Sequence, residues 1–245
     1  MIFVPAKYGS SRLPGKNFIE FYNGYSLLQI AVLRSIKSNC GPVVVSSENY
    51  EATMEQITDL GISNSKNVIV KKRPKMLAKD PSTILDVLKY CLQNLDEAHA
   101  KNSETVAVVL PTSPFNSSNE IRKAWTCFSH SSASKLLSVS VSSKPPFNAW
   151  IDKKKEKGEI TFAFPESSYK AMQSTRCPTT YMSNGCISIY DTSELLNNNE
   201  FTNVIGYKMS GKASMDIDFD HEFTLAKMAF PVLADDIDFI NNSNE

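Results

Sequence analysis

Short β-branched runs alternate with stretches of 3.6-residue periodicity through the first half of the chain. Ile2-Phe3-Val4, Val43-Val44-Val45, Val68-Ile69-Val70 and Val106-Ala107-Val108-Val109-Leu110 are continuously apolar, the pattern of parallel strands covered on both faces. Amphipathic stretches run from Leu27 to Ile36, from Ile84 to Leu92 and from Ile121 to Phe128, each with one apolar face at helical spacing. Asp80-Pro81-Ser82 and Ser117-Ser118-Asn119-Glu120 read as the starts of the second and third of these helices. Such alternation predicts an α/β fold with a doubly wound, mostly parallel sheet, its ligands at the carboxyl ends of the strands.

The second half changes character. Leu136 to Val141 reads as a strand, and Lys144-Pro145-Pro146 then breaks the pattern. Residues 142–180 read as a hairpin-like excursion from the main sheet, with the lysine run from Asp152 to Gly158 as a solvated tip. Cys186 to Tyr190 returns to the core as a strand, and Phe223 to Phe230 is helical.

Length and charge narrow the picture. A chain of 245 residues suits one compact domain, 1–245, with a large core. Lys plus Arg and Asp plus Glu balance at 26 each, so no global field points to nucleic acid or membrane and any electropositive site is local. Five cysteines, odd in number and widely spaced, suit neither a metal finger nor a disulfide framework, which points to reduced thiols in a cytoplasm. Met1-Ile2-Phe3-Val4 before Pro5 is no secretory leader, and the longest apolar runs fall short of a membrane span.

The most informative stretch is Val4-Pro5-Ala6-Lys7-Tyr8-Gly9-Ser10-Ser11-Arg12-Leu13-Pro14-Gly15-Lys16-Asn17. It follows the first strand, and its backbone N–H groups can face an anion while Lys7, Arg12 and Lys16 supply charge. Cations so gathered repel one another unless a polyanion, such as a nucleoside triphosphate, sits among them. The spacing is not that of a Walker loop, because five residues separate Gly9 from Gly15 and Asn17 follows Lys16. A surface turn that happens to be basic is the plain alternative.

This loop resembles the signature of sugar nucleotidyltransferases, above all the cytidylyltransferases acting on 2-keto sugar acids. Its Tyr8 to Lys16 portion is similar to CMP-Kdo synthetases, while Lys16-Asn17 is similar to CMP-sialic acid synthetases. Lys7 stands where the family usually has Arg, which keeps charge and loses the bidentate fork. Arg73-Pro74 followed by Leu77 to Thr83 resembles the family's cytosine segment, although a capped helix after Arg-Pro explains it equally well. Leu110-Pro111-Thr112-Ser113-Pro114 resembles the sialic-acid branch rather than the Kdo branch, with Leu110 and Asn116 replacing the usual Gln and Arg. Ser183-Asn184-Gly185-Cys186 is similar to the acceptor-side Asn-Gly segment, or is a turn before a strand. Arg176 and Pro178 resemble the Arg-rich stretch that grips the sugar carboxylate, with Met182 where a second Arg is common.

Asp216, Asp218 and Asp220 alternate with Met215, Ile217 and Phe219. In extended chain the carboxylates share one face, and hard oxygen ligands of this kind suit magnesium held jointly with phosphates. A solvated acidic strand is the other reading. The motif resembles the family's Asp-Ile-Asp metal site, which assigns Asp216 and Asp218 to Mg²⁺ and leaves Asp220 and His221 as caps of the next helix.

The resemblance implies a Rossmann-like nucleotidyltransferase fold and a reaction of CTP with a sialic-acid-like nonulosonic acid, giving the CMP-sugar and pyrophosphate. It places catalytic roles on Lys7, Arg12, Lys16 and Asp218. Nucleotide binding falls to Ala6, Lys7, Gly9, Ser10, Lys16, Asn17, Arg73, Ser82 and Thr83, and sugar binding to Thr112, Ser113, Arg176 and Asn184. It also implies a homodimer in which the 142–180 excursion of one subunit helps to complete the acceptor pocket of the other. His99 and His130 lie among polar helix-end residues and are expected to be bystanders. Rival readings are a CMP-Kdo synthetase, a sugar-1-phosphate enzyme, or a non-catalytic sugar-nucleotide-binding protein of the same fold.

Overall fold

The computed structural model describes residues 1–62, 67–95, 103–142, 144–152, 159–197, 201 and 203–242. Strand β1 (Ile2–Pro5) leads through the basic loop into a small hairpin, β2 (Glu20–Tyr22) and β3 (Tyr25–Ser26), and then helix α1 (Leu27–Ser38). Ser26 starts that helix because its hydroxyl accepts from Gln29 N–H while the Gln29 side chain reaches back to Ser26 N–H, a reciprocal cap that satisfies two orphan donors. There follow β4 (Val43–Ser47), α2 (Tyr50–Asp59), β5 (Val68–Lys72), α3 (Ile84–Gln93), β6 (Thr105–Val109), α4 (Ser118–Ser129) and β7 (Lys135–Val141). The rest comprises β8 (Trp150–Asp152), β9 (Ile160–Phe162), β10 (Tyr181–Asp191), α5 (Thr192–Asn197), β11 (Val204–Lys208), α6 (Asp220–Leu233) and α7 (Ile237–Asn242).

The main sheet runs β11-β7-β10-β6-β1-β4-β5. Every neighbouring pair is parallel except those of β10, which is antiparallel to both β6 and β7. Side chains alternate between the two faces, so Ile2, Val4, Val43 and Val45 pack with α1, α2 and α4. Phe3, Val44, Val106 and Val108 pack with α3 and α5. Burial on both faces explains why these strands read as unbroken apolar runs. The expected doubly wound, mostly parallel sheet is present.

A third cluster lies at one end of α1. Phe21, Phe115, Phe223 and Phe230 form it with Ile217, and Phe230 meets Phe21 and Phe115 at ring-centroid distances of 5.1 and 5.7 Å. Arg34 is buried beside it, ion-paired with Asp236 and donating to the Pro114 carbonyl. The late helix α6 is thereby fastened over the β2–β3 hairpin.

The described residues of the 142–180 stretch lie outside the main sheet. Strands β8 and β9 pair only with each other, antiparallel, with Trp150 stacked on Phe162 at 4.0 Å. The lysine tip at 153–158 and His99 lie outside the described residues. Asn184-Gly185 is not a turn before a strand. It sits inside β10 at a register shift between Ser183 and Ser188, with Gly185 at φ +74°, a left-handed backbone that favours glycine.

Candidate active site

The loop after β1 and the segment before α6 meet across the carboxyl edge of the sheet. Lys16 is buried; its Nζ donates to the Ile217 carbonyl and lies 3.1 Å from Asp218 Oδ1. Arg12 pairs with the other oxygen of Asp218 and lies over the Phe219 ring, 5.5 Å from its centroid. One carboxylate thus bridges two of the loop's three cations. Gly15 at φ +70° makes the turn that brings Lys16 inward, and Asn17 Nδ2 holds the Lys7 carbonyl at 3.0 Å.

The aspartate segment is extended but belongs to no strand, and only its central apolar residue is buried. Ile217 is fully covered, and its N–H donates to the Thr112 carbonyl at 2.9 Å, while Met215 and Phe219 are exposed. Asp216 and Asp218 flank that anchor. Burial pushes the Asp216 carboxyl up from its ordinary range, and the charge of Asp218 adds to this, against hydrogen bonding with Thr112 and the charge of Lys16. Ser113 Oγ lies 3.5 Å from Asp216 Oδ1. Below them Cys186 is buried, its thiol pushed up to about 11 chiefly by that burial, so it stays protonated.

The expected cap by Asp220 and His221 is not what the structure shows. Both lie in the first turn of α6, and Phe219 at the cap position has no side-chain acceptor to offer. Glu222 supplies the oxygen instead, accepting from Asp218 N–H at 2.7 Å and Phe219 N–H at 3.0 Å. Those bonds hold the Glu222 carboxyl below its ordinary range and fix the backbone beside the aspartates.

A cavity of about 360 Å³ opens above this junction, a size typical of small-ligand sites. Lys7, Ser10, Arg12, Lys16, Asn17 and Asp218 line it, together with Leu110, Pro111 and Thr112. Its lining also includes Arg73, Ser82, Thr83 and the apolar Leu77, Ala78, Ile84 and Val87. Helix α3 starts here because Thr83 and Asp86 cap it reciprocally, one residue beyond the expected Asp80-Pro81-Ser82 start.

Other predicted site residues do not line this cavity. Ala6 is fully buried, its N–H bonded to the Ser46 carbonyl. Gly9 is exposed, and its N–H, with that of Tyr8, is taken by Glu48 Oε1 at 2.9 Å. The anion expected at those two amides is therefore an internal carboxylate. Ser113 and Asp216 lie behind the wall, and Asn184 Oδ1 accepts from Ser138 Oγ and Cys186 N–H. Arg176 is exposed in a short 3₁₀ turn of the excursion. His130 ends α4, its ring nitrogen 2.8 Å from the Thr126 carbonyl, and plays no part in the cavity. Glu48 and the apolar wall were not singled out from sequence. A polar residue directly after β4, at the carboxyl edge, was the available signal for Glu48.

The sequence pattern of the family described as Cytidylyltransferase matches residues 1–214. The chain belongs to the cytidylyltransferase family. Over 154 residues it is 30% identical to a CMP-N,N'-diacetyllegionaminic acid synthase of Legionella pneumophila subsp. pneumophila, a match covering 61% of each chain. Among solved structures it is similar to a CMP:2-keto-3-deoxy-manno-octonic acid synthetase complexed with CTP, with TM-score 0.65, 12% identity and coverage of 94% of this chain and 97% of that one. It is also similar to a 4-diphosphocytidyl-2C-methyl-D-erythritol synthase of Anaerococcus prevotii, with TM-score 0.59, 12% identity and coverage of 94% and 96%. At such identities the structural likeness speaks to the fold. No helix of this cytidylyltransferase is long and apolar enough, among the described residues, to cross a membrane.

Proposed function

We propose that this cytidylyltransferase transfers CMP from CTP to a sialic-acid-like nonulosonic acid, releasing pyrophosphate. The supporting observation is the meeting of Lys16 and Asp218, some two hundred positions apart, in the lining of a cavity that also includes Arg73 and several apolar side chains. A triphosphate would take Arg12 and Lys16 over from Asp218, and a pyrimidine would lie beside Arg73.

The donor set suits Mg²⁺. Asp216 and Asp218 are neighbouring carboxylates, and Asp216 is desolvated with its charged form disfavoured, a state that a divalent cation relieves. Mg²⁺ is commonly held by one or two carboxylates and completed by phosphates and water. Bound there, Mg²⁺ would supply positive charge to the reacting phosphates.

The chain's own residues do the rest. Arg12 and Lys16 pass from Asp218 to the β- and γ-phosphates, and Lys7 adds a third charge. Arg73, Ser82 and Thr83 hold the nucleoside against Leu77 and Ile84, aligning the α-phosphorus with the side formed by Leu110 and Thr112. There the anomeric hydroxyl oxygen of the sugar acid forms its bond to phosphorus, and the bond to the bridging oxygen of pyrophosphate breaks in line. Charge that grows on the phosphoryl oxygens meets fixed cations, the usual source of rate in such transfers.

The acceptor side is open in one chain, with Arg176 exposed on the excursion. Trp150, Ile151, Ile160, Phe164 and Met182 are exposed apolar side chains on or beside it, in keeping with a homodimer that covers them and brings Arg176 to the partner's acceptor. CTP as substrate is in keeping with a cytoplasmic enzyme. Screening N-acetylneuraminic, legionaminic, pseudaminic and Kdo acids with CTP and magnesium for pyrophosphate release tests the assignment. Turnover with one of the first three is expected; activity with Kdo alone moves the protein to the rival branch, and CTP binding without any turnover makes it a binding protein.

A further inference from the structure

Glu48 stands directly after β4, and its side chain is 13% exposed. Its two oxygens serve different parts of the chain. Oε1 accepts from the N–H groups of Tyr8 and Gly9, both at 2.9 Å. Oε2 accepts from Arg73 Nε at 3.1 Å and Nη2 at 2.7 Å. One carboxylate therefore joins the loop after β1 to the residue that follows β5, across the strand between them.

This arrangement is not a simple surface bridge. Arg73 is 5% exposed, and a buried guanidinium without its partner is costly. Burial pushes the Glu48 carboxyl up, but the bond from Gly9 N–H and the Arg73 charge outweigh it and hold the carboxyl below its ordinary range. Nε and Nη2 are turned to Glu48. Among the described residues no hydrogen bond engages Arg73 Nη1, and Arg73 lines the cavity. Tyr8 and Gly9, held by the other oxygen, immediately precede Ser10 to Arg12, which line the same cavity.

We propose that Glu48 is a positioning residue that locks the phosphate-facing loop and Arg73 in one register, so that both ends of a bound CTP are gripped at a fixed separation. The proposal deepens the proposed function and rests on CTP as the ligand. Glu48 touches no substrate; it acts through Arg73 and through the backbone at Tyr8 and Gly9. Its four donors need an acceptor on both oxygens. A carboxamide places an NH₂ against one pair of donors, and an Asp is a methylene too short to reach both.

Glu48→Gln and Glu48→Asp are measured beside the wild type by steady-state kinetics and by calorimetric titration with CTP and magnesium. Glu48→Gln is expected to raise the KM for CTP and its dissociation constant about tenfold, leaving the KM for the sugar acid unchanged and kcat within about threefold. Glu48→Asp, which keeps the charge, is expected to fall between Gln and wild type. A merely structural loss reduces the amount of active protein and so scales the maximal rate, leaving both KM values alone. In an Arg73→Ala background Glu48→Gln is expected to lose clearly less CTP affinity than in the wild type, because the part exerted through Arg73 is already gone and only the part exerted through Tyr8 and Gly9 remains. Wild-type CTP affinity in Glu48→Gln, or losses that simply add in the double variant, overturn the proposal. A wild type that binds CTP but turns over no sugar acid removes the proposed acceptor and leaves Glu48 in place; one that binds no CTP removes both.

Discussion

Two arginine–aspartate pairs tie the end of the chain to its beginning, and they are of opposite kinds. Arg34–Asp236 is sealed in the aromatic cluster, with side chains 2% and 8% exposed, and Arg34 also donates to the Pro114 carbonyl. Arg12–Asp218 lies at the cavity mouth, with side chains 54% and 42% exposed. The first pair cannot open without stranding a charge where nothing solvates it. The second can exchange partners at little cost, since exposed pairs contribute about 0–1 kcal/mol. The same chemistry therefore locks architecture in one region and leaves a pair free to change partners in the other, and burial decides which.

Breaking each pair separates the two roles. Asp218→Asn is expected to lower pyrophosphate release by about 10³-fold or more, since transition-state charge loses its counter-ion, with the melting temperature unchanged; full activity in that variant would falsify the assignment of Asp218. Arg34→Ala is expected to cost about 3–5 kcal/mol, lowering the melting temperature by roughly 10 °C in calorimetry while CTP affinity in the remaining folded protein stays normal. Lys16→Ala should reduce kcat/KM by about 10²-fold; a change confined to thermal stability would make the loop a structural turn.

The smallest effect has the opposite sign. The folded-state value of Asp216 is raised, so its contribution to stability is fully present below the unfolded-state value and is lost as pH rises through the folded-state one. At neutral pH the metal-free protein bears that loss. Asp216→Asn should therefore raise the melting temperature by roughly 2 °C at pH 7, with no gain near pH 3 and with loss of turnover. Destabilisation at pH 7 would show that Asp216 is held by partners rather than strained by burial.

Much of the frame was legible because burial leaves its mark on composition. Strands covered on both faces must be apolar throughout, and β1, β4, β5 and β6 are. Helix α2 was missed because it turns only Thr53 and Ile57 into the core, too few for a stripe. The reversed direction of β10 was also hidden, since a period of two has no polarity. In the site, Lys16 and Asp218 stood in recognisable motifs. Glu48 did not, because a lone acidic residue after a strand takes its meaning from Arg73 and Gly9, which only the fold brings near. The cap of α6 was misassigned to Asp220 and His221 for a related reason: Glu222, three positions past the helix boundary, reaches back to it.

Ile217 gives the aspartate pair its ruler. Fixed by its side chain among Phe115, Phe223 and Phe230 and by its N–H on Thr112, it is a pivot from which the two carboxylates extend to either side. The spacing of Asp216 and Asp218 is thus inherited from hydrocarbon packing rather than from any polar contact between them. Trimming Ile217 to Val would retune that spacing from inside the core, leaving every charged group in the cavity untouched.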